Sequence, residues 1–163
     1  MLPWEKRPTE VANLFNPAFC TLLLRDAIVA YQKEKKEGMP YALSFLILPL
    51  VLSKSTRQAL PRSTATKQHA WLQNHPEIRV DFARKLRDLA PYVKESIMFG
   101  MHANIIGVDQ LGNLIALKKK LRKSTWPKDA EPAVCRKKAR FLGRWMAQTG
   151  EVSTIFTMWG IRP

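Results

Sequence analysis

Apolar side chains recur every three or four positions along most of this chain, the spacing of helices buried on one face. Residues 10–35 show it first: Phe19, Leu22, Leu23, Ile28 and Tyr31 keep to it, leaving Arg25, Gln32, Lys33 and Lys36 for the wet side. Asn16 suits a helix cap and Pro17 a first helical position, so a short helical turn, a break and a longer helix ending near Gly38 are predicted. Residues 41–52, YALSFLILPLVL, are almost wholly apolar. Such a block fits a core strand or a buried helix; Pro49 argues against a central strand, and a buried helical segment that Pro49 opens or bends is expected.

Ser55 with Gln58 can form a capping box, Pro61 closes that element, and Ser63 to Thr66 offer further caps, so two short helices follow. Short helices joined by tight turns suit a helix-turn-helix core. His75 and Pro76 open another helix running to about Leu89, with Val80, Phe82, Ala83 and Leu86 inward and Arg79, Lys85 and Arg87 outward. Pro91 restarts it, placing Tyr92, Val93, Ile97, Met98 and Met101 on an apolar face that ends near Asn104. The period changes at IIGVDQLGNLIAL, a predicted β-hairpin over 105–117 in which Asp109 caps the turn and Gly112 supplies its left-handed residue. A charged connection spans 118–131. A last long helix follows from about Pro132 to Gln148, with Ala133, Ala139, Leu142, Trp145 and Met146 inward; Gly150 stops it, and Val152 to Trp159 form one more short helix. A helix leading straight into a hairpin is how a winged helix ends. The fold expected is therefore mainly α (α+β), one compact helical domain over 1–163 with a winged-helix-like β-hairpin.

Charge changes this picture. The 163 residues carry 27 Lys or Arg against 13 Asp or Glu, a formal charge of +14. Residues 1–76 contribute +5 and residues 77–163 contribute +9, so the C-terminal half is the better polyanion face. Lys118, Lys119, Lys120, Arg122 and Lys123 lie together just after the hairpin and fit phosphate contacts of low sequence preference. A solvated linker or an acidic protein contact accounts for the same run. Arg136, Lys137, Lys138 and Arg140 extend the patch if the last helix packs beside the hairpin, and equally fit an ordinary wet helix face.

Candidate chemistry is sparse. His69, His75 and His102 lack metal-site spacing, and neither Cys20 nor Cys135 sits in a CxxC or other catalytic context. The sequence has no phosphate-binding GxxxxGK[ST] loop, no GxGxxG and no GxSxG, which removes the ATPase, dinucleotide and hydrolase readings these motifs carry. No catalytic residue and no metal ligand is assigned. Two distant cysteines and an N-terminus without an apolar core fit a reduced, cytoplasmic protein. The longest apolar run, Phe45 to Leu52, is too short to span a membrane, and no membrane partner is expected. Trp159 and Arg162 form either an aromatic and arginine anchor for a partner or an intramolecular dock of the C-terminal segment.

The segments EVANLFNPAF, GMPYALSFLILPLVLSKSTRQALP and FLGRWMAQTGEVSTIFTMWGIRP resemble the middle component of three-component ABC-ATPase systems. The chain is also similar to the small accessory subunit of Lamassu-type SMC defence complexes. This resemblance implies a non-catalytic adaptor that joins an SMC/RecN-like ABC ATPase dimer to an effector nuclease or other effector, in a bacterial anti-phage or anti-plasmid complex acting on double-stranded DNA. ATP and Mg would belong to the ATPase, and this chain would hold no cofactor. Arg144, Trp145, Trp159 and Arg162 fall in the resembling segments and are candidates for the partner interface. The alternative is an autonomous winged-helix DNA-binding regulator, in which Ser53 to Leu60 enters the major groove with Lys54, Arg57 and Gln58 as readers. A small nuclease is the weakest reading, because clustered acids for two-metal chemistry are not visible.

Overall fold

A computed structural model describes residues 6–117, 121 and 125–161. Helix α1 (Thr9–Leu14) leads through Asn16 into α2 (Pro17–Lys35), and the Asn16 side chain accepts from the amides of Ala18 and Phe19 as the sequence requires. A 3-10 turn over Tyr41–Leu43 runs into α3 (Ser44–Leu52), where Pro49 sits within the helix. Then come α4 (Lys54–Ala59), α5 (Gln68–Asn74), α6 (Pro76–Arg79), α7 (Phe82–His102), the strands β1 (Ile106–Val108) and β2 (Leu114–Ala116), α8 (Glu131–Ala147) and α9 (Val152–Met158).

Helix α2 is the centre, packing against α3, α7, α8 and β2. Leu23, Leu24, Ala27 and Ile28 are fully buried, and so are most side chains of α3, which explains the all-apolar block. Among the described residues one stretch, Thr9–Lys35, is long and apolar enough to cross a membrane, and half of its apolar window is buried inside the fold.

The hairpin forms where the period changes. Its strands are antiparallel, with Ile106 opposite Ala116 and Val108 opposite Leu114. The Asp109 carboxylate accepts from the amides of Leu111 and Asn113, both at 2.9 Å, and Gly112 takes φ +81°. The result is a mainly α domain with a small winged-helix-like hairpin. Its inner side is core: Ile106 and Leu114 are buried, Met39 exchanges backbone hydrogen bonds with Leu114, and Gln32 accepts from the Ala116 amide.

Three local expectations are corrected. The cap of α4 is Ser53, whose Oγ accepts from the Thr56 amide and hydroxyl, rather than Ser55. The helix opened by Pro76 lasts one turn, because Asp81 adopts φ +57°; Val80 is then 64% exposed and Ala83 also faces solvent. Pro91 does not restart a helix but lies inside α7, on its exposed side, where the Arg87 carbonyl that loses its helical donor can be satisfied by water.

Helix α7 is also rotated from the predicted face. Ser96 and Gly100 point inward beside Val93 and Ile97, and the Thr21 hydroxyl on α2 donates to the Ser96 carbonyl at 2.6 Å. A Cβ on Gly100 would press on Ile106 and Thr21. Small residues thus let α7 come close to α2, and that close seam turns Met98 and Met101 outward.

Candidate interaction surfaces and the basic helix

Helix α8 carries four of the predicted nucleic-acid contacts, and three of them are held within the fold. Asp26 on α2, nearly buried, accepts from Arg136 at 2.6 and 3.1 Å and from Arg140 at 2.8 Å. This hydrogen bonding raises the Arg136 pKa above its ordinary value. One turn on, Gly143 lies against α2 so closely that a Cβ there would collide with the Ala27 carbonyl. Asp26 and Gly143 together set the α2 to α8 seam.

A second strip of α8 is spaced by seven residues and clasps the segment that runs from α4 to α5. Glu131 accepts from the buried Arg57 guanidinium, which also donates to the Val51 carbonyl. Lys138 donates to the carbonyls of Leu60 and Pro61 at 3.1 and 3.3 Å and lies over the Phe141 ring. Burial, helped by the neighbouring Lys137, pushes the Lys138 pKa down. Trp145 donates through Nε1 to the Thr66 carbonyl at 2.6 Å. Residues two turns apart share a helix face, so one side of α8 holds the α4 to α5 segment along its length. Lys137 is exposed and Arg144 half-buried.

The two tryptophans proposed for a partner interface are in the core. Trp145 packs edge-on to Trp71, and Trp159 packs on Phe82 and Trp71 with ring centroids 4.8 and 6.1 Å away. Intramolecular docking of the C-terminal segment is the arrangement found. Lys118, Lys119, Lys120, Arg122, Lys123 and Arg162 lie outside the described residues.

The fold of the α4 region bears on groove reading. Arg57, the central candidate reader, is buried and bonded on both sides, while Lys54 and Gln58 are exposed. At the hairpin tip Leu111 is 83% exposed and Val108 also faces solvent, so the described tip presents apolar atoms.

Sequence periodicity missed the outer face of α7. Met98 is 70% exposed and Phe99 42%, and with Pro17, Pro91, Lys94, Glu95 and His102 they line an open groove of about 550 Å³. Ser96 and Gly100, four residues apart, were the available signal: two small residues at helical spacing mark a close helix contact better than two flexible methionines do. Glu95 is gripped by Arg7 through two hydrogen bonds of 2.8 and 2.7 Å.

Cys20 and Cys135 are buried free thiols, and burial pushes Cys20 up to about 12. Among the described residues no group of three His, Cys, Asp or Glu could hold a metal ion. No curated protein and no solved structure matches the chain. Residues 4–163 match the family described as ABC-three component (ABC-3C) system Middle Component 3. With nearly its whole length covered, the chain belongs to that family: it is the middle component of a three-part ABC-ATPase system.

Proposed function

We propose that this middle component is the adaptor that joins an SMC/RecN-like ABC ATPase dimer to an effector nuclease or other effector, in a cytoplasmic anti-phage or anti-plasmid complex of the Lamassu kind. ATP and Mg sit on the ATPase, and double-stranded DNA is engaged by the assembled complex. The observation that supports this reading over an autonomous regulator is the state of Arg57. A groove-reading helix needs its long polar side chains free to meet base edges. Here the central one is buried, bonded to Val51 and Glu131, and serves the fold. Arg136, Arg140 and Lys138 of α8 are held in the same way by Asp26, Leu60 and Pro61.

Any DNA contact this chain adds comes from Lys118, Lys119, Lys120, Arg122 and Lys123, with Lys137 as the exposed cation of α8. Such contacts give affinity that falls steeply with salt and reads little sequence. The test is to purify the chain with the other components of its system and measure the mass of what forms. A stable assembly holding this chain between ATPase and effector is expected, and failure to bind an ATPase component overturns the adaptor. Removing the five charges from Lys118 to Lys123 should weaken binding of the complex to duplex DNA and flatten its salt dependence. Unchanged affinity and slope would reject that run as a DNA contact.

A further inference from the structure

The exposed groove on α7 belongs to a longer unpartnered surface. Arg84, Arg87, Pro91, Lys94, Met98 and Met101 recur at steps of three or four, so they share one side of the helix over roughly 25 Å. That side is the one α2 and α3 leave uncovered: the buried positions of α7 are Phe82, Val93, Ser96, Ile97 and Gly100. Its C-terminal half is apolar: Met98 and Phe99 line the groove with Pro91 and Pro17, and Met101 is exposed next along the same side as Met98. Methionine and phenylalanine together in an open groove are what an apolar helix face inserts against.

The charges around the groove narrow the occupant. Glu95 is neutralised by Arg7, and Asp81 is paired with Arg84. Among the described residues Arg87 and Lys94, on the open side of α7, have no ion-pair partner, while Lys85 and Asp88 line a separate hollow with Pro49 and Leu52. The groove therefore presents apolar atoms flanked by uncompensated cations. A second copy of this chain, itself +14, would bring like charge to the same surface.

Building on the adaptor reading, we propose that the α7 groove docks an acidic amphipathic helix of the ATPase component. Its apolar residues, at helical spacing, sit on Met98, Phe99 and Met101, and its Glu or Asp flanks face Lys94 and Arg87. The apolar contact supplies the affinity, while the cations set orientation and speed the encounter.

The test uses the full chain with its methionine methyl groups labelled with carbon-13, titrated with the purified ATPase component. The Met98 and Met101 signals should shift or broaden on binding, while Met39 and Met146, both fully buried, stay in place. Met98→Glu should weaken binding at least about tenfold. Lys94→Glu should weaken it about threefold, by a margin that shrinks as salt is added. Both positions are on the surface, and matching circular dichroism spectra establish that the variants fold. Binding with unmoved Met98 and Met101 signals and an unaffected Met98→Glu variant overturns the groove and leaves the adaptor standing. A wild-type chain that does not bind the ATPase component overturns both. Signals that move with chain concentration alone, together with a doubled mass, make a second copy the occupant and reject the proposal. Signals that respond to duplex DNA and not to the ATPase component reject it as well.

Discussion

Helix α8 and the outer side of α7 look alike in sequence, each a mixture of cations and apolar residues at helical spacing, and the structure treats them oppositely. In α8 Arg136, Arg140 and Lys138 turn to the fold, the two arginines to Asp26 and the lysine to the carbonyls of Leu60 and Pro61, while Lys137 stays exposed. In α7 the small residues turn inward, and methionine, phenylalanine and lysine remain outside. What separates the two is the neighbour each helix meets. An acid and a row of free carbonyls attract cations, whereas a closely approaching helix takes small and apolar residues such as Ser96, Gly100, Val93 and Ile97. Basic composition therefore marks scaffold in one helix and surface in the other.

The comparison can be broken most strongly at the α2 to α8 seam. Gly143→Ala would drive a methyl into the Ala27 carbonyl and should cost about 3 kcal/mol in denaturant unfolding, the upper range for overpacking. A change below about 1 kcal/mol would mean the two helices are not held at this spacing. Next in size, Asp26→Asn keeps the shape but removes the charge that Arg136 and Arg140 share. It should cost about 2 kcal/mol, less than a fully buried pair because Arg140 is partly exposed. Equal stability of this variant and wild type would show that the α8 cations do not hold the fold. Trp145→Phe retains a ring but leaves the Thr66 carbonyl without its donor, and should cost about 1 kcal/mol.

A pH measurement sharpens the same contrast. Burial raises Cys20 from 9.0 to about 12, so the fold disfavours its thiolate while the unfolded chain does not. Its contribution is level below pH 9 and is lost as pH rises from 9 toward 12, because the unfolded state then releases a proton that the fold retains. Unfolding curves across that window should show the loss, and Cys20 should resist thiol reagents until the chain is denatured. Rapid labelling of the native chain would place Cys20 outside the core. The smallest expected effect is on α7: Met98→Glu should change stability by no more than about 0.5 kcal/mol, since its side chain is largely in water. A larger loss would make Met98 part of the core and remove the distinction between the two helices.

Much of the fold is legible in the residues because its signals are local. Asn16 followed by Pro17 fixes the start of α2, the unbroken apolar block fixes a buried α3, and Asp109 with Gly112 fixes the hairpin turn. The first and last depend on a side chain meeting its own neighbouring backbone, and the second on a run that leaves no polar position for a wet face. The candidate site is less legible. Arg136 and Arg140 read as wet positions because no local pattern reveals that Asp26, more than a hundred residues earlier, waits beside them. Trp159 read equally as a partner anchor or a dock, and only Trp71 and Phe82 decide between these.

The sequence by itself determined a basic, mainly helical chain of this family, its helix starts, its turn and its concentration of charge after residue 76. It did so because capping, turn chemistry and hydrophobic period act within a few residues. Tertiary structure alone decided which cations are structural, which tryptophans are core and which side of α7 is left open. Those outcomes depend on how closely two helices approach, and that is set by pairs such as Gly143 with Ala27 and Ser96 with Thr21, whose members are distant in the chain.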